Sequence, residues 1–246
     1  MNRLLIASLD RFGPLRDSVR DDLMACSQET QRFEPGQVIA PAEARSRLRL
    51  LARGLAVKQQ ALPDGGRQIF GVATPGDLID LGGLYAGLDH EVLALGVCEV
   101  RMTTAHELRT MMRAHPNLLA ALCRAILTEA QRQRDWMVGL GRRTALARAA
   151  NLLCEVYWRQ TALRLAQDGR CDFPAVQADI ADALGLSVVH VHRVLRTLRD
   201  DGLATLRNGV LKIDDWEGLT RLGGFDPERL RPQRETLDIA SRAASG

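Results

Sequence analysis

The stretch from Gln177 to Arg199, QADIADALGLSVVHVHRVLRTLR, restricts the possible folds more than any other part of this chain. Val176, Ile180, Ala181 and Leu184 fall on one side of a first short helix. Val191, Val194, Leu195 and Leu198 follow at i, i+3, i+4 and i+7 on a second. Each helix therefore has one face to bury. Between them Gly185 can take the positive φ that ends a helix, and Ser187 can accept from the free N–H groups that begin the next. Off the apolar stripe the second helix carries His190, His192, Arg193, Arg196 and Arg199, donors suited to phosphates and base edges. An ordinary surface helix would mix its charges. Two helices, a glycine turn and a basic outer face are the pattern of a helix-turn-helix DNA reader.

The rest of the chain supplies a setting for it. With 246 residues and 46% hydrophobic content there is enough apolar surface for more than one core. Residues 1 to about 30 read as helical, with Leu4, Leu5, Leu9, Leu15, Val19 and Leu23 as the packing face. From Phe33 to about Met102 the pattern changes to short β runs at Gln37–Ile39, Leu48–Leu51, Leu55–Gln59, Gln68–Ala73 and Leu93–Val100. Gly36, Gly54 and Gly76 sit at corners, and Asp64-Gly65-Gly66 signals a hairpin, so a compact β barrel or roll is expected, with room for a helical turn near Leu81 to Ala86. After His106 the pattern is helical. A long helix is expected from Pro116 to Leu140, broken by Gly139 and Gly141. Its Leu119, Leu122, Ile126, Glu129, Gln133, Trp136 and Leu140 follow the alternation of a two-stranded seam. Another helix, Arg142 to Leu165, leads through a polar loop, Gln167 to Phe173, into the reader. Beyond it, Leu203–Leu206 and Val210–Ile213 flank Asn208-Gly209, a hairpin turn that makes a wing. A short helix, Trp216 to Leu222, precedes a polar tail. The implied division is 1–107 for the roll with its N-terminal helix, 108–141 for the connecting helix, 142–225 for the winged reader and 226–246 for the tail.

The order of roll, long helix, helix-turn-helix and wing resembles the Crp/Fnr-type bacterial transcription regulators over about residues 30 to 225. The likeness is strongest in LPDGGRQIFGVATPGDLI and DIADALGLSVVHVHRVLRTLRDDGL. It implies an α+β fold with a cyclic-nucleotide-binding-like roll, a dimerisation helix and a winged helix-turn-helix. It also implies a homodimer through residues 117–140 that sets two recognition helices about 34 Å apart on palindromic double-stranded DNA. By position, Ser187 would touch phosphate, and Val188, Val189, His192 and Arg193 would face base edges, with Gln177, His190 and Arg196 completing the DNA-contacting set. Arg193 matches the family's most persistent reading residue. Val189 stands where well-known members have Glu, and His192 where they have Gly or Ser, so the operator should be this chain's own. Val176 stands where a capping Ser or Thr is usual, so that helix start is expected to be loose. Members that bind cyclic AMP hold it with Gly-Glu-Leu and Arg-Ser. The corresponding residues here are Asp80, Leu81, Gly82, Glu91 and Val92, whose carboxylates would repel a phosphate, so no cyclic-nucleotide binding is expected.

Other chemistry finds less support. A formal charge of +3 is only mildly basic, so nucleic-acid binding must come from local clustering. The five cysteines are scattered and include no CxxC, which fits a reduced cytoplasmic protein, and no apolar run has the length of a membrane span. Cys26 alone cannot supply an iron–sulfur cluster. His90 lies near the ligand loop and leaves haem or another effector open, although a lone histidine is more often a surface or core residue, and His190 and His192 point to different sides, which disfavours zinc. Cys171 would be a redox thiol only if exposed. Arg142 and Arg143 fit DNA backbone contact or a helix start equally. No cofactor or metal is assigned, no catalytic motif stands on a suitable element, and an enzyme is not expected. RNA polymerase would be a partner if the protein activates transcription. The competing reading is a ligand-binding signalling module whose winged domain docks proteins.

Overall fold

The structure, a computed structural model, describes residues 3–27, 29–42, 47–79, 81–84 and 87–230. Two helices, α1 (Arg3–Asp10) and α2 (Asp17–Ala25), replace the single N-terminal helical segment, because Gly13 at φ 146° and Pro14 interrupt it. Strands β1 (Glu29–Phe33), β2 (Val38–Ala40), β3 (Arg47–Arg53), β4 (Ala56–Ala61), β5 (Arg67–Ala73), β6 (Glu91–Ala94) and β7 (Cys98–Thr104) build the roll, with one 3-10 turn at Leu81–Leu84. They form two antiparallel sheets ordered β1-β7-β3 and β2-β6-β4-β5. Phe33, Ile39, Leu51, Ile79, Val92 and Val100 are buried together in the roll core. The expected run Leu93–Val100 is two strands in different sheets, since the chain turns at Gly96. The Asp64-Gly65-Gly66 turn joins β4 to β5, with the Leu62 N–H donating to the Gly66 carbonyl at 2.8 Å. Strand β1 reads as mostly exposed polar residues and has no apolar alternation to reveal it.

Thr104 caps α3 (Ala105–Ala114) by accepting from the Glu107 N–H at 3.2 Å, and α4 (Pro116–Arg142) follows with proline at its start, where no N–H is needed. Contrary to expectation, α4 continues through Gly139 and Gly141. Gly139 leaves room for Arg143 to fold back along the helix, where its guanidinium donates to the Asp135 carboxylate at 3.0 and 3.2 Å; a Cβ at Gly139 would lie 3.1 Å from that guanidinium. The break comes at Arg143, and Thr144 opens α5 (Ala145–Ala162) by accepting from the Ala147 N–H.

With α5, the reader contains β8 (Arg170–Asp172), α6 (Gln177–Leu184), α7 (Val188–Asp200), β9 (Ala204–Arg207), β10 (Val210–Ile213) and α8 (Trp216–Gly223), with a sheet ordered β8-β10-β9. Strand β8 lies inside the segment expected to be loop. Its three residues are too few for a period, and its Cys171 is fixed by pairing with Leu211. The C-terminal tail has a 3-10 turn at Pro227–Leu230, and residues 231–246 lie outside the described residues. One apolar cluster includes Ile180, Val191, Leu198 and Leu211 of the reader as well as Leu55, Val57, Ile69 and Val72 of the roll. The two parts therefore share a core.

Candidate nucleic-acid interface

The reader's two helices are set by their ends. Gly185 at φ 61° closes α6, the Leu186 N–H returns to the Ala181 carbonyl at 3.1 Å, and the Ser187 hydroxyl accepts from the His190 N–H at 3.3 Å. Ile180, Ala181 and Leu184 are buried on α6, and Val191, Val194 and Leu198 are buried on α7, while Leu195 is half-buried. Val176 does not join them. It occupies the N-cap position at 60% exposure. The helix start expected to be loose is nevertheless satisfied, because the Asp179 carboxylate accepts from the Val176 N–H at 2.8 Å. That carboxylate also favours the positive end of the helix.

The rest of α7 faces outward. Val188 and Val189, the latter 69% exposed, follow the exposed Ser187, and His192, Arg193 and Arg196 continue the surface, with His190 and Gln177 half-buried at its margin. Among the described residues nothing engages the Arg193 guanidinium, whereas Arg196 donates to Asp200 at 3.3 Å and Arg199 to the same carboxylate at 3.0 Å. The wing tip turns at Asn208 and Gly209, with φ 52° and 74°, and the adjoining Arg207 is exposed. The structure separates the two hinge arginines: Arg143 is occupied by Asp135, and Arg142 is exposed. Residues missed in the sequence are Arg207 beside the wing turn, Asp179 as the substitute cap, and Arg67, which reaches the reader from the roll. The acid at the third position of α6 was a readable signal for Asp179; no local pattern marks Arg67.

On α4 the expected seam residues Leu119, Ile126, Gln133 and Leu140 are exposed, whereas Leu122, Glu129 and Trp136 are not. Leu122 is buried, Glu129 pairs with Lys58 at 2.7 Å, and the Trp136 indole donates to Glu155 at 2.8 Å, so these three face inward. Cys123 and Met137 are exposed in place of Leu122 and Trp136, and half-buried Ala130 takes the place of Glu129, so the outward stripe through Leu119, Ile126, Gln133 and Leu140 keeps the alternation with its intermediate positions moved on by one residue.

Between α4 and the roll is a cavity of about 380 Å³, lined by Leu81 and Gly82 and by charged groups including Arg11, Lys58, Asp77, Glu129 and Arg132. Asp80 lies outside the described residues. Glu91 and Val92 do not line the cavity: Glu91 accepts from Gln59 at 3.4 Å, and Val92 is in the roll core. The expected repulsion from Glu91 is therefore absent from this wall. Instead, the three cations are already paired, Lys58 and Arg132 with Glu129 and Arg11 with Asp77 at 3.7 Å. Arg159 of α5 also binds Asp77 and donates to the Val72 carbonyl at 2.6 Å. Burial alone would raise the pKa values of Asp77 and Glu129. For Asp77, Arg159, Arg132 and Arg11 outweigh it, and for Glu129, Lys58 and Arg132 do so, leaving both carboxyls below their ordinary range. His90 lies in the same wall, with Nδ1 2.7 Å from Asp89 and its ring edge against Phe70. Cys171 is 4% exposed, and its thiol is pushed up to about 12, first by burial and then by Asp172, so the thiolate needed for redox chemistry is disfavoured. No helix among the described residues is long and apolar enough to cross a membrane, and no group of three or more His, Cys, Asp or Glu among them could hold a metal.

A family model for the Crp-like helix-turn-helix domain matches residues 147–222. Over 159 residues the chain is 32% identical to the transcriptional activator protein FnrL of Cereibacter sphaeroides, a match spanning 62% of each protein. It is also 32% identical over 168 residues to the transcriptional activatory protein AadR of Rhodopseudomonas palustris, covering 67% of this chain and 68% of AadR. The structure of FixK2 from Bradyrhizobium japonicum superposes with a TM-score of 0.70 at 22% identity, over 80% of this chain and 97% of that one, which establishes a common fold.

Proposed function

Because the chain belongs to the Crp/Fnr family of transcription regulators, we propose that it binds DNA sequence-specifically in the cytoplasm as a homodimer. In this reading α7 enters the major groove of each half of a palindromic site. The observation that carries it is the outer face of α7, capped by Ser187 and with Arg193 free among the described residues to span the two acceptors of a guanine. Ser187 meets phosphate, Val188, Val189, His192 and Arg193 meet base edges, and Gln177, His190 and Arg196 flank them. The outward stripe of α4 supports pairing with a second copy, and RNA polymerase is a partner if the bound dimer activates. The roll does not take an ordinary cyclic nucleotide, because the cations lining its cavity are already committed to carboxylates.

Footprinting and binding titrations on fragments of the source genome, at several salt concentrations, test this. A protected palindrome is expected, with affinity falling steeply as salt rises and unchanged by added cyclic AMP. A flat salt response with no fragment preferred over bulk DNA would refute the reading.

A further inference from the structure

We propose that Arg67, on the sensor roll, is a positioning residue for DNA reading that clamps the first helix of the reader. This rests on α7 being the reading helix. The Arg67 side chain spans one turn of α6: Nη2 donates to Asp179 at 2.6 Å and Nε to Asp182 at 2.7 Å. Its third nitrogen, Nη1, donates to the Gln59 side chain at 2.8 Å, so the whole planar fork is used. A lysine could not span this geometry. The next residue grips the same helix, since the Gln68 amide donates to the Asp182 backbone carbonyl at 2.7 Å.

The clamp acts where α6 most needs help. Val176 offers no capping side chain, Asp179 substitutes for one, and Arg67 fixes the carboxylate that substitutes. Because α6 and α7 share a buried face and a tight glycine turn, holding α6 holds the reading helix. With side chains 26%, 15% and 31% exposed for Arg67, Asp179 and Asp182, the pairs are shielded more than ordinary surface bridges.

Strand β4 connects this clamp to the cavity. Its ladder with β5 slips between Lys58 and Gln59, and these consecutive buried residues serve opposite partners. Lys58 binds Glu129 of α4 at the cavity wall, whereas Gln59 supports Arg67. A change at the cavity that shifts β4 would therefore reach α6 through a single strand. The outer face of α7 is exposed in this arrangement, so the clamp leaves the residues assigned to base edges uncovered.

A double-mutant cycle in the full-length protein tests the clamp, using the fragment that wild type protects best. Arg67→Ala and Asp182→Ala are each expected to weaken binding about tenfold without changing the preferred sequence, and the double variant to be no weaker than either. Arg67→Lys should recover only part of the loss. In the absence of DNA, Arg67→Ala should speed amide exchange across residues 177–184 while leaving α4 unaffected. Additive losses, tighter binding by Arg67→Ala or unchanged exchange would each overturn the proposal. Absence of DNA binding by wild type would instead overturn the functional reading, and the exchange measurement would still decide whether the clamp exists.

Discussion

Arg193 and Ser187 lie six residues apart on the same short surface but have different work to do. Arg193 is exposed and unengaged among the described residues, so its guanidinium can be spent on a base without first breaking a bond. Arg193→Ala should cost about 1–3 kcal/mol at the preferred operator and little on unrelated DNA, which parallel titrations on both would show. Ser187 is the hydroxyl that starts α7. Its replacement by alanine should remove about 1 kcal/mol of helix-start stability and weaken all sites alike, without altering sequence preference. Arg196 and Arg199 share Asp200, so each carries a counter-charge that Arg193 lacks among the described residues.

At the scale of an element, α4 shows how one pattern can fit two faces. Its 3,4 alternation can be traced through Leu122 and Trp136 or, one residue further on, through Cys123 and Met137, and the letters alone favour the former because it includes more large residues. Packing selects the latter, since α1, α3 and the roll cover the Leu122 side and leave the Cys123 side open. If the open stripe is the dimer seam, mild oxidation should cross-link Cys123 to its counterpart in a second copy. Ile126→Glu should give a monomer in sedimentation, because two carboxylates would then face each other across the seam. Leu122→Ala should instead destabilise the fold by about 2–5 kcal/mol, with little direct effect on association. A dimer insensitive to Ile126→Glu would place the seam elsewhere.

For the whole molecule, the roll, the long helix and the reader meet around Asp77. Its carboxylate faces Arg159 of α5, Arg132 of α4 and Arg11 beyond α1, with Thr74 donating from its own loop. Glu129, Glu155 and Lys58 complete the surrounding charges. Because Asp77 titrates lower in the folded chain than in the unfolded one, its stabilising contribution is complete above the unfolded value of about 4 and is lost as pH falls below it. Asp77→Asn should therefore destabilise the protein by about 3–5 kcal/mol at neutral pH, since it removes the carboxylate that Arg159, Arg132 and Arg11 share and leaves the cluster with excess positive charge. Denaturant titrations at pH 7 and near pH 3 should show the gap between wild type and variant narrowing in acid. A gap independent of pH would show that the carboxylate's charge is not what holds these parts together.

The sequence by itself determined the reader: a buried stripe, a glycine of positive φ, a serine cap and an Asn-Gly wing are local signals, each complete within a few neighbouring residues. It also indicated the roll, through short strands and corner glycines, while the brief strands β1 and β8 carried too few alternating residues to stand out. Tertiary structure decided which side of α4 is open, how Asp179 replaces a missing cap, and that Arg67 reaches Asp182 from 115 residues away. The reason is physical. A helix face or a turn is fixed by the conformational preferences of adjoining residues, whereas the partner of a charged side chain depends on which distant surface the packed core brings within reach.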